Sequence, residues 1–150
     1  MQRSREAWVI DASVAAKWYL RDEDLLAEAD RFRRQAQEGE ASISAPHVSR
    51  HEVANTLATA IRSGRITEDQ AWSNLSAYID LPVSLDEDPE WLLQAARQCA
   101  VRFGIAIYDA IYLALGDASG ASVITADRKL YDLVRDDLTF VRWLGESTAV

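Results

Sequence analysis

Cysteine is almost missing from this chain. Cys99 stands alone, so no disulfide framework can staple the fold. With two histidines beside it, there is no Cys/His cluster of the kind that holds zinc. Glycine and proline are also scarce, at 6 and 3 in 150 residues, which argues against a disordered, collagen-like or linker-rich chain. No apolar run approaches the roughly 18 residues that a membrane helix needs. The opening Met1-Gln2-Arg3-Ser4-Arg5-Glu6 lacks the apolar stretch and cleavage site of a signal peptide. We find no repeat, low-complexity tract or linker. What is present is 49% apolar residues, enough for a substantial core at this length. The expectation is one soluble, cytoplasmic domain over residues 1–150.

Basic residues are the other shortage. The net charge is −8, divided as −2 over residues 1–75 and −6 over residues 76–150. That speaks against a sequence-independent binder of duplex DNA, which depends on phosphate neutralisation. It does not exclude a nuclease, because local cations can offset acids at one site. Charge alone therefore decides little.

The apolar pattern alternates short runs with helical stretches. Trp8-Val9-Ile10 reads as a buried strand ending at Asp11, followed by a helix with Val14, Ala15, Trp18 and Tyr19 on one face. Residues 22–38 repeat Leu25, Leu26, Ala29, Phe32 and Ala36 at three- and four-residue steps, with Gly39 placed to end that helix. Ala41–Ser44 is a second strand, and Pro46 is placed to open a helix running to Gly64. Thr67 and Gln70 form a capping-box pattern before a helix with Ala71, Leu75 and Tyr78. A short strand over Leu81–Leu85, a helix stopped by Gly104 and an apolar helical stretch over Tyr108–Gly116 follow. Ala121–Thr125 reads as a strand, Asp127–Leu133 as a short helix, and Leu138–Val141 as the last strand. Such alternation predicts an α/β class fold with a mainly parallel sheet of about four to five strands, covered on both faces. Sites in such sheets form at the carboxyl ends of the strands.

Four acids stand apart from the solvated runs Asp22-Glu23-Asp24, Asp86-Glu87-Asp88 and Asp136-Asp137. Asp11 follows Val9-Ile10, Glu52 lies in a helical stretch before Val53-Ala54-Asn55, Asp109 is enclosed by apolar residues, and Asp127 follows Ile124-Thr125-Ala126. A lone carboxylate in such surroundings is costly to bury. Each has an ordinary structural reading: Asp11, Asp109 and Asp127 as helix caps, and Glu52 as a solvent-facing side chain. Taken together, they tell more.

The segments Val9-Ile10-Asp11-Ala12-Ser13, Ala45-Pro46 with Glu52–Leu57, Tyr108–Leu115 and Ile124–Leu130 occur in this order across roughly Trp8 to Val141. In that order and spacing the chain resembles the PIN-domain nucleases, and within them the VapC-like toxins of toxin–antitoxin pairs. The resemblance implies a three-layer α/β/α sandwich and a metal-dependent ribonuclease. Its Mg²⁺, for which Mn²⁺ can substitute, would be held by Asp11, Glu52, Asp109 and Asp127, which are also its expected catalytic residues. Asp11 and Asp109 are expected to bind the ion directly, and Glu52 and Asp127 to reach it through water or to orient the attacking water. Ser13 and Thr125 match small hydroxyl positions near that site, and Asn55 a polar position one turn after Glu52. The resemblance further implies an RNA substrate, a small antitoxin partner and a homodimer, with no role at a membrane.

The chemistry suits the residue types. Mg²⁺ is hard, prefers carboxylate and water oxygens, and keeps several waters. Clustered carboxylates repel and hold protons unless a cation lies among them. Arg31, Arg33, Arg34, Arg50 and His51 are candidate RNA contacts, with Arg128 and Lys129 better placed directly after Asp127. His51, one helical residue from Glu52, should turn about 100° away and is not read as a base. Trp18, Tyr19, Leu20, Leu25 and Leu26 are read mainly as core, with part of that surface a candidate for partner contact. Three other readings remain open: a PIN nuclease of RNA processing without an antitoxin, a non-catalytic α/β binding module whose acids are caps, and, ranked last, a phosphoacceptor receiver domain.

Overall fold

A computed structural model describes residues 5–146. Its centre is a five-stranded sheet in the order β3-β2-β1-β4-β5, built from β1 (Glu6–Ile10), β2 (Ala41–Pro46), β3 (Val83–Asp86), β4 (Ser122–Thr125) and β5 (Val141–Trp143). Every pairing is parallel, so helical crossovers must join the strands. These are α1 (Ala12–Ala15) with a 3-10 turn to Trp18, α2 (Leu26–Gln37), α3 (Val48–Arg62), α4 (Glu68–Asp80), α5 (Glu90–Phe103), α6 (Ile107–Ser119) and α7 (Arg128–Val134). The expected α/β class and parallel sheet are what the chain adopts.

The core follows from strand alternation. Trp8 meets Phe32 of α2 edge-on at 5.4 Å between ring centres. Val9, one residue on, belongs to the opposite face and is in register with Val123. Against that second face lies α6, apolar over most of its surface, with Ala110 to Gly116 all buried. Its approach to β4 is close: a Cβ on Gly116 would stand 2.3 Å from Val123 Cγ2, so only glycine fits there. Val9, Val14, Phe32, Leu92, Ile124, Val134 and Leu144 are fully buried, each worth about 1.5–3 kcal/mol of apolar transfer.

Several boundaries differ from the sequence reading. Pro46 ends β2 rather than opening α3, whose cap position is His47. The helix expected from residue 22 starts at Leu26, because Leu25 takes a left-handed conformation with φ 55°. The preceding acids are drawn instead to Lys17 and Arg65. The last strand is Val141–Trp143, not Leu138–Val141. There the Leu138 amide donates to the Val134 carbonyl and the Val141 amide to Leu138, which keeps the chain turning until Val141. The third strand runs Val83–Asp86, shifted from the expected Leu81–Leu85. The Thr67–Gln70 capping box forms as the sequence indicates.

Strand order also locates the site. The chain moves from β1 outward to β3, then crosses back to place β4 on the other side of β1. A crevice opens at the carboxyl ends of the two strands that flank such a reversal, here Ile10 and Thr125. Among the described residues, no single helix is long and apolar enough to cross a membrane.

Candidate active site

The crevice is a cleft of about 560 Å³, and Asp11, Glu52, Asp109 and Asp127 all line it. Asp11 arrives at the end of β1, and Asp127 two residues after β4. Glu52 projects from the second turn of α3, and Asp109 from the first turn of α6. Four segments far apart in sequence thus deliver their acids to one opening. Ser13, Asn55, His51, Thr56, Tyr108 and Val48 complete much of its wall.

Three of the four acids have one oxygen pinned by the protein. Ser13 Oγ and Thr125 Oγ1 both donate to Asp11 Oδ2, at 2.6 and 2.8 Å. Those hydroxyls in turn accept from the amides of Ala126 and Asp127, at 3.0 Å each. Each hydroxyl has a single proton, so Asp11 fixes the direction of both. Among the described residues no donor meets Asp11 Oδ1. Glu52 Oε1 accepts from the buried Tyr112 phenol at 2.7 Å. Asp127 Oδ1 caps α7 by accepting from the Leu130 amide at 3.0 Å. In each case no donor among the described residues meets the second oxygen. Asp109 sits beside them with no hydrogen bond of this kind among the described residues.

The capping alternatives therefore separate. Asp127 is a cap and a cleft residue at once. Asp11 occupies a cap position but makes no capping bond. Asp109 is not the cap of α6, a place held by Ala106. Glu52 is half-buried and bonded rather than solvated.

Their electrostatics are those of acids short of positive charge. Burial pushes Asp11 up from 3.8 to about 6; the Ser13 and Thr125 hydrogen bonds oppose the rise, and the charges of Asp109 and Asp127 add to it. Glu52 is pushed from 4.5 to about 7, mainly by burial, against the Tyr112 bond and with help from Asp11 and Asp109. Asp109 is also raised, by burial and then by Asp127. Such groups gain from a cation at their centre.

Whether they suit Mg²⁺ can be judged from the donor set. It is all oxygen, anionic and partly desolvated, as a hard ion requires. Among the described residues no group of three or more His, Cys, Asp or Glu side chains is arranged to hold a metal ion by itself. Mg²⁺ keeps several waters and needs only one or two carboxylates directly, so the acids lining the cleft would have to share it with water.

The remaining expectations divide. Ser13 and Thr125 bond Asp11, and Ser13 and Asn55 line the cleft. His51 lines the cleft despite its offset from Glu52, with its ring 5.7 Å from His47. Lys129 lines an adjoining hollow with Asp109 and Asp127. Arg128 instead pairs with Asp132 and lies over the rings of Tyr131 and Trp143. None of Arg31, Arg33, Arg34 or Arg50 lines the cleft. Arg31 lies over Phe32, Arg33 pairs with Asp30, and Arg50 reaches the Ile79 carbonyl. Trp18 and Leu20 are core. Tyr112 was missed by sequence reasoning, although it sits one turn from Asp109 on the same helix.

With this geometry in view, the comparisons are direct. The PIN domain family matches over residues 8–136. The protein named ribonuclease VapC3 from Pyrobaculum aerophilum is 32% identical over 123 residues, 81% of this chain and 90% of that protein. A crystal structure of PAE2754 from the same organism superposes with a TM-score of 0.69 at 23% identity, covering 97% of this chain and 92% of that one. VapBC2 from Rickettsia felis, bound to a fragment of promoter DNA, contributes a second similar fold at TM-score 0.63 and 9% identity, covering 91% and 96%. The chain belongs to the PIN domain family.

Proposed function

We propose that this chain is a Mg²⁺-dependent endoribonuclease and the toxin of a VapBC-type toxin–antitoxin pair, working in the cytoplasm as one domain over residues 1–150. The observation that carries the reading is the convergence of Asp11, Glu52, Asp109 and Asp127 on one cleft. The relative named ribonuclease VapC3 supports the activity, and the VapBC2 structure supports an antitoxin partner.

In this reading Asp11 and Asp109 would hold the ion, while Glu52 and Asp127 would act on it through water. Asp11 offers Oδ1 because Ser13 and Thr125 occupy Oδ2. Asp127 gives Oδ1 to the Leu130 amide and keeps Oδ2 for a water. When bound, Mg²⁺ supplies an activated water and stabilises charge on the phosphoryl oxygens and leaving group. Glu52, held by the Tyr112 phenol, would be the group that takes a proton from the attacking water. The hydroxyl clamp keeps the Asp11 carboxylate in one orientation, so its geometry is set before substrate arrives.

Two partners follow from the reading: a small antitoxin and a second copy of this chain. Trp72, Trp91 and Val101 are 80%, 57% and 77% exposed, the kind of apolar surface that association would cover. Sedimentation showing only monomers at micromolar concentration would remove the homodimer.

The decisive experiment is cleavage of a pool of tRNA and structured RNA in Mg²⁺ or Mn²⁺ by wild type and Asp11→Asn, with an EDTA control. Cleavage is expected from wild type and lost in both controls. Cleavage that persists in EDTA, or failure of the folded wild type to bind either metal, would sink the reading.

A further inference from the structure

The wall formed by Asp109 and Asp127 has two sides. On one lies the cleft of about 560 Å³ with Tyr108, Asn55 and Thr56. On the other lies a separate hollow of about 310 Å³, floored by Ile105, Leu130 and Leu133 and edged by Lys129. Both volumes fall in the range of roughly 300–1,000 Å³ typical of ligand sites. The same two acids border both, so anything lying across the wall places its middle against them.

The side chains on each side share a character. Tyr108 is 60% exposed and Leu133 50% exposed, two of the few large apolar groups left in solvent. Among the described residues, Tyr108 has no ring or hydrogen-bond partner. Lys129 is exposed and, among the described residues, has no ion-pair partner, whereas its neighbour Arg128 is committed to Asp132, Tyr131 and Trp143. An aromatic face, an apolar floor and one free cation on opposite sides of an acidic wall match the parts of an unpaired nucleic-acid strand. Its bases offer faces for stacking, and its phosphates pair with lysine.

We propose that the hollow behind the Asp109–Asp127 wall is a second nucleotide subsite. An unpaired RNA strand crosses the wall with one nucleotide against Tyr108 in the cleft and the next on Leu133 in the hollow, the phosphate on the far side of that second nucleotide paired with Lys129. The phosphate between them lies over the acids and is the one that is cut. This rests on the ribonuclease reading above, and it assigns Tyr108 and Lys129 as the residues that set where the strand is held. A paired strand does not fit the arrangement, because its bases are already stacked and their faces closed.

The test uses 5′-fluorescein-labelled hexauridylate and hexaadenylate, and versions with one abasic nucleotide moved along the strand. Cleavage in Mg²⁺ is compared for wild type, Lys129→Gln, Lys129→Arg, Tyr108→Ala and Tyr108→Phe. Lys129→Gln is expected to raise KM roughly tenfold with kcat little changed, and to lower the salt slope of binding by about 0.7, the share of one single-strand phosphate contact. Lys129→Arg restores both. Tyr108→Ala raises KM roughly tenfold and erases any preference for adenine over uracil, while Tyr108→Phe keeps both. Abasic substitution is expected to weaken cleavage at two adjacent positions flanking the cut. If wild type cuts RNA but the Lys129 variants keep its KM and salt slope, or the abasic penalty falls on one side only, the hollow is not a subsite and the ribonuclease reading stands. If wild type neither binds nor cuts the hexamers or the RNA pool, both fail together.

Discussion

Two groups of carboxylates in this molecule are made of the same residue types and behave in opposite ways. In the cleft, burial and mutual repulsion raise Asp11, Glu52 and Asp109 above their ordinary values. Asp22 and Asp24, in the turn between the first helix and α2, and Asp30, on the first turns of α2, are lowered, because Arg65, Lys17 and Arg21 donate to them. Lys17 is itself buried, with Nζ 2.9 Å from Asp24 and 3.3 Å from Glu23. The turn spends its acids on holding itself together. Among the described residues no cation pairs with the cleft's acids, and three of them are pinned by one oxygen each, using neutral donors. Net charge cannot distinguish these two uses; the presence or absence of a paired cation does. An acid held in place without a counter-charge is costly to the fold, and that cost marks the site.

The sharpest way to break the contrast is Asp11→Asn. The amide oxygen can still accept from Ser13 and Thr125, so the local geometry should survive, while the charge toward the metal is lost. Cleavage is expected to fall on the order of 10³-fold, the scale of several kcal/mol of metal-supported stabilisation, with isothermal titration showing weakened Mg²⁺ binding. An activity within tenfold of wild type would mean that Asp11 does not bind the ion.

Stability should move the other way. A carboxyl with a raised folded pKa contributes stability below its unfolded value, and that contribution is lost as pH rises through the folded value. For Asp11 the window runs from 3.8 to about 6, worth roughly 3 kcal/mol at 1.36 kcal/mol per unit. For Glu52 it runs from 4.5 to about 7. The metal-free protein should therefore melt at higher temperature near pH 5 than near pH 8. Mg²⁺ should recover the loss at pH 8, and Asp11→Asn should flatten the metal-free profile. The turn acids have the opposite sign: their lowered values contribute stability that is lost only as pH falls below the ordinary carboxylate range. A metal-free melting temperature that rises from pH 5 to pH 8 would overturn the assignment of unpaired charge to the cleft.

How much of this was legible beforehand depends on what each residue's neighbours are. Asp11 and Asp127 could be read because each follows a short apolar run that had to be a strand, and strand ends are where α/β sites gather. Asp109 stood out because an acid amid Ile107, Tyr108, Ala110 and Ile111 needs a reason to be there. Tyr112 could not be read in the same way. Within that apolar helix it looks like core, and it is core, at 1% exposure; only its hydroxyl reaches the cleft acids, by donating to Glu52, which is 60 positions away in sequence. Lys129 and Arg128 were indistinguishable as adjacent basic residues, since Asp132 one turn later claims only the arginine. The last strand was misplaced for a related reason. Leu138-Thr139-Phe140-Val141 has strand-forming residues, but the Val134 carbonyl captures the Leu138 amide first.

Tyr112→Phe sharpens the comparison from within the cleft. Phenylalanine keeps the packing of a fully buried ring and removes the only donor the described residues give Glu52. The Tyr112 bond lowers the Glu52 value, so its loss should move the acid limb of the kcat profile to higher pH. The turnover at neutral pH should drop about tenfold, the scale of one hydrogen bond to a charged group. An unchanged pH profile with reduced activity would mean that Tyr112 acts through packing alone.

Arg65→Gln tests the other group, and its effect should be the smallest. Arg65 makes three short contacts, at 2.7 and 2.9 Å to Asp22 and 3.1 Å to Glu23. By count it is as well bonded as Lys17 and Arg21. Yet its partners reach solvent, and exposed pairs contribute little because water and salt already satisfy the separated charges. Lys17 remains on Glu23 and Asp24 after the substitution, so the turn keeps its buried anchor. A fall in melting temperature of at most about 3 °C is expected, shrinking further in 0.5 M salt, with cleavage unaltered. A much larger fall, or lost cleavage, would show that the turn braces the helix carrying Ser13 and, through it, the Asp11 clamp. The two groups of acids would then be one mechanical unit rather than two opposed uses of the same side chain.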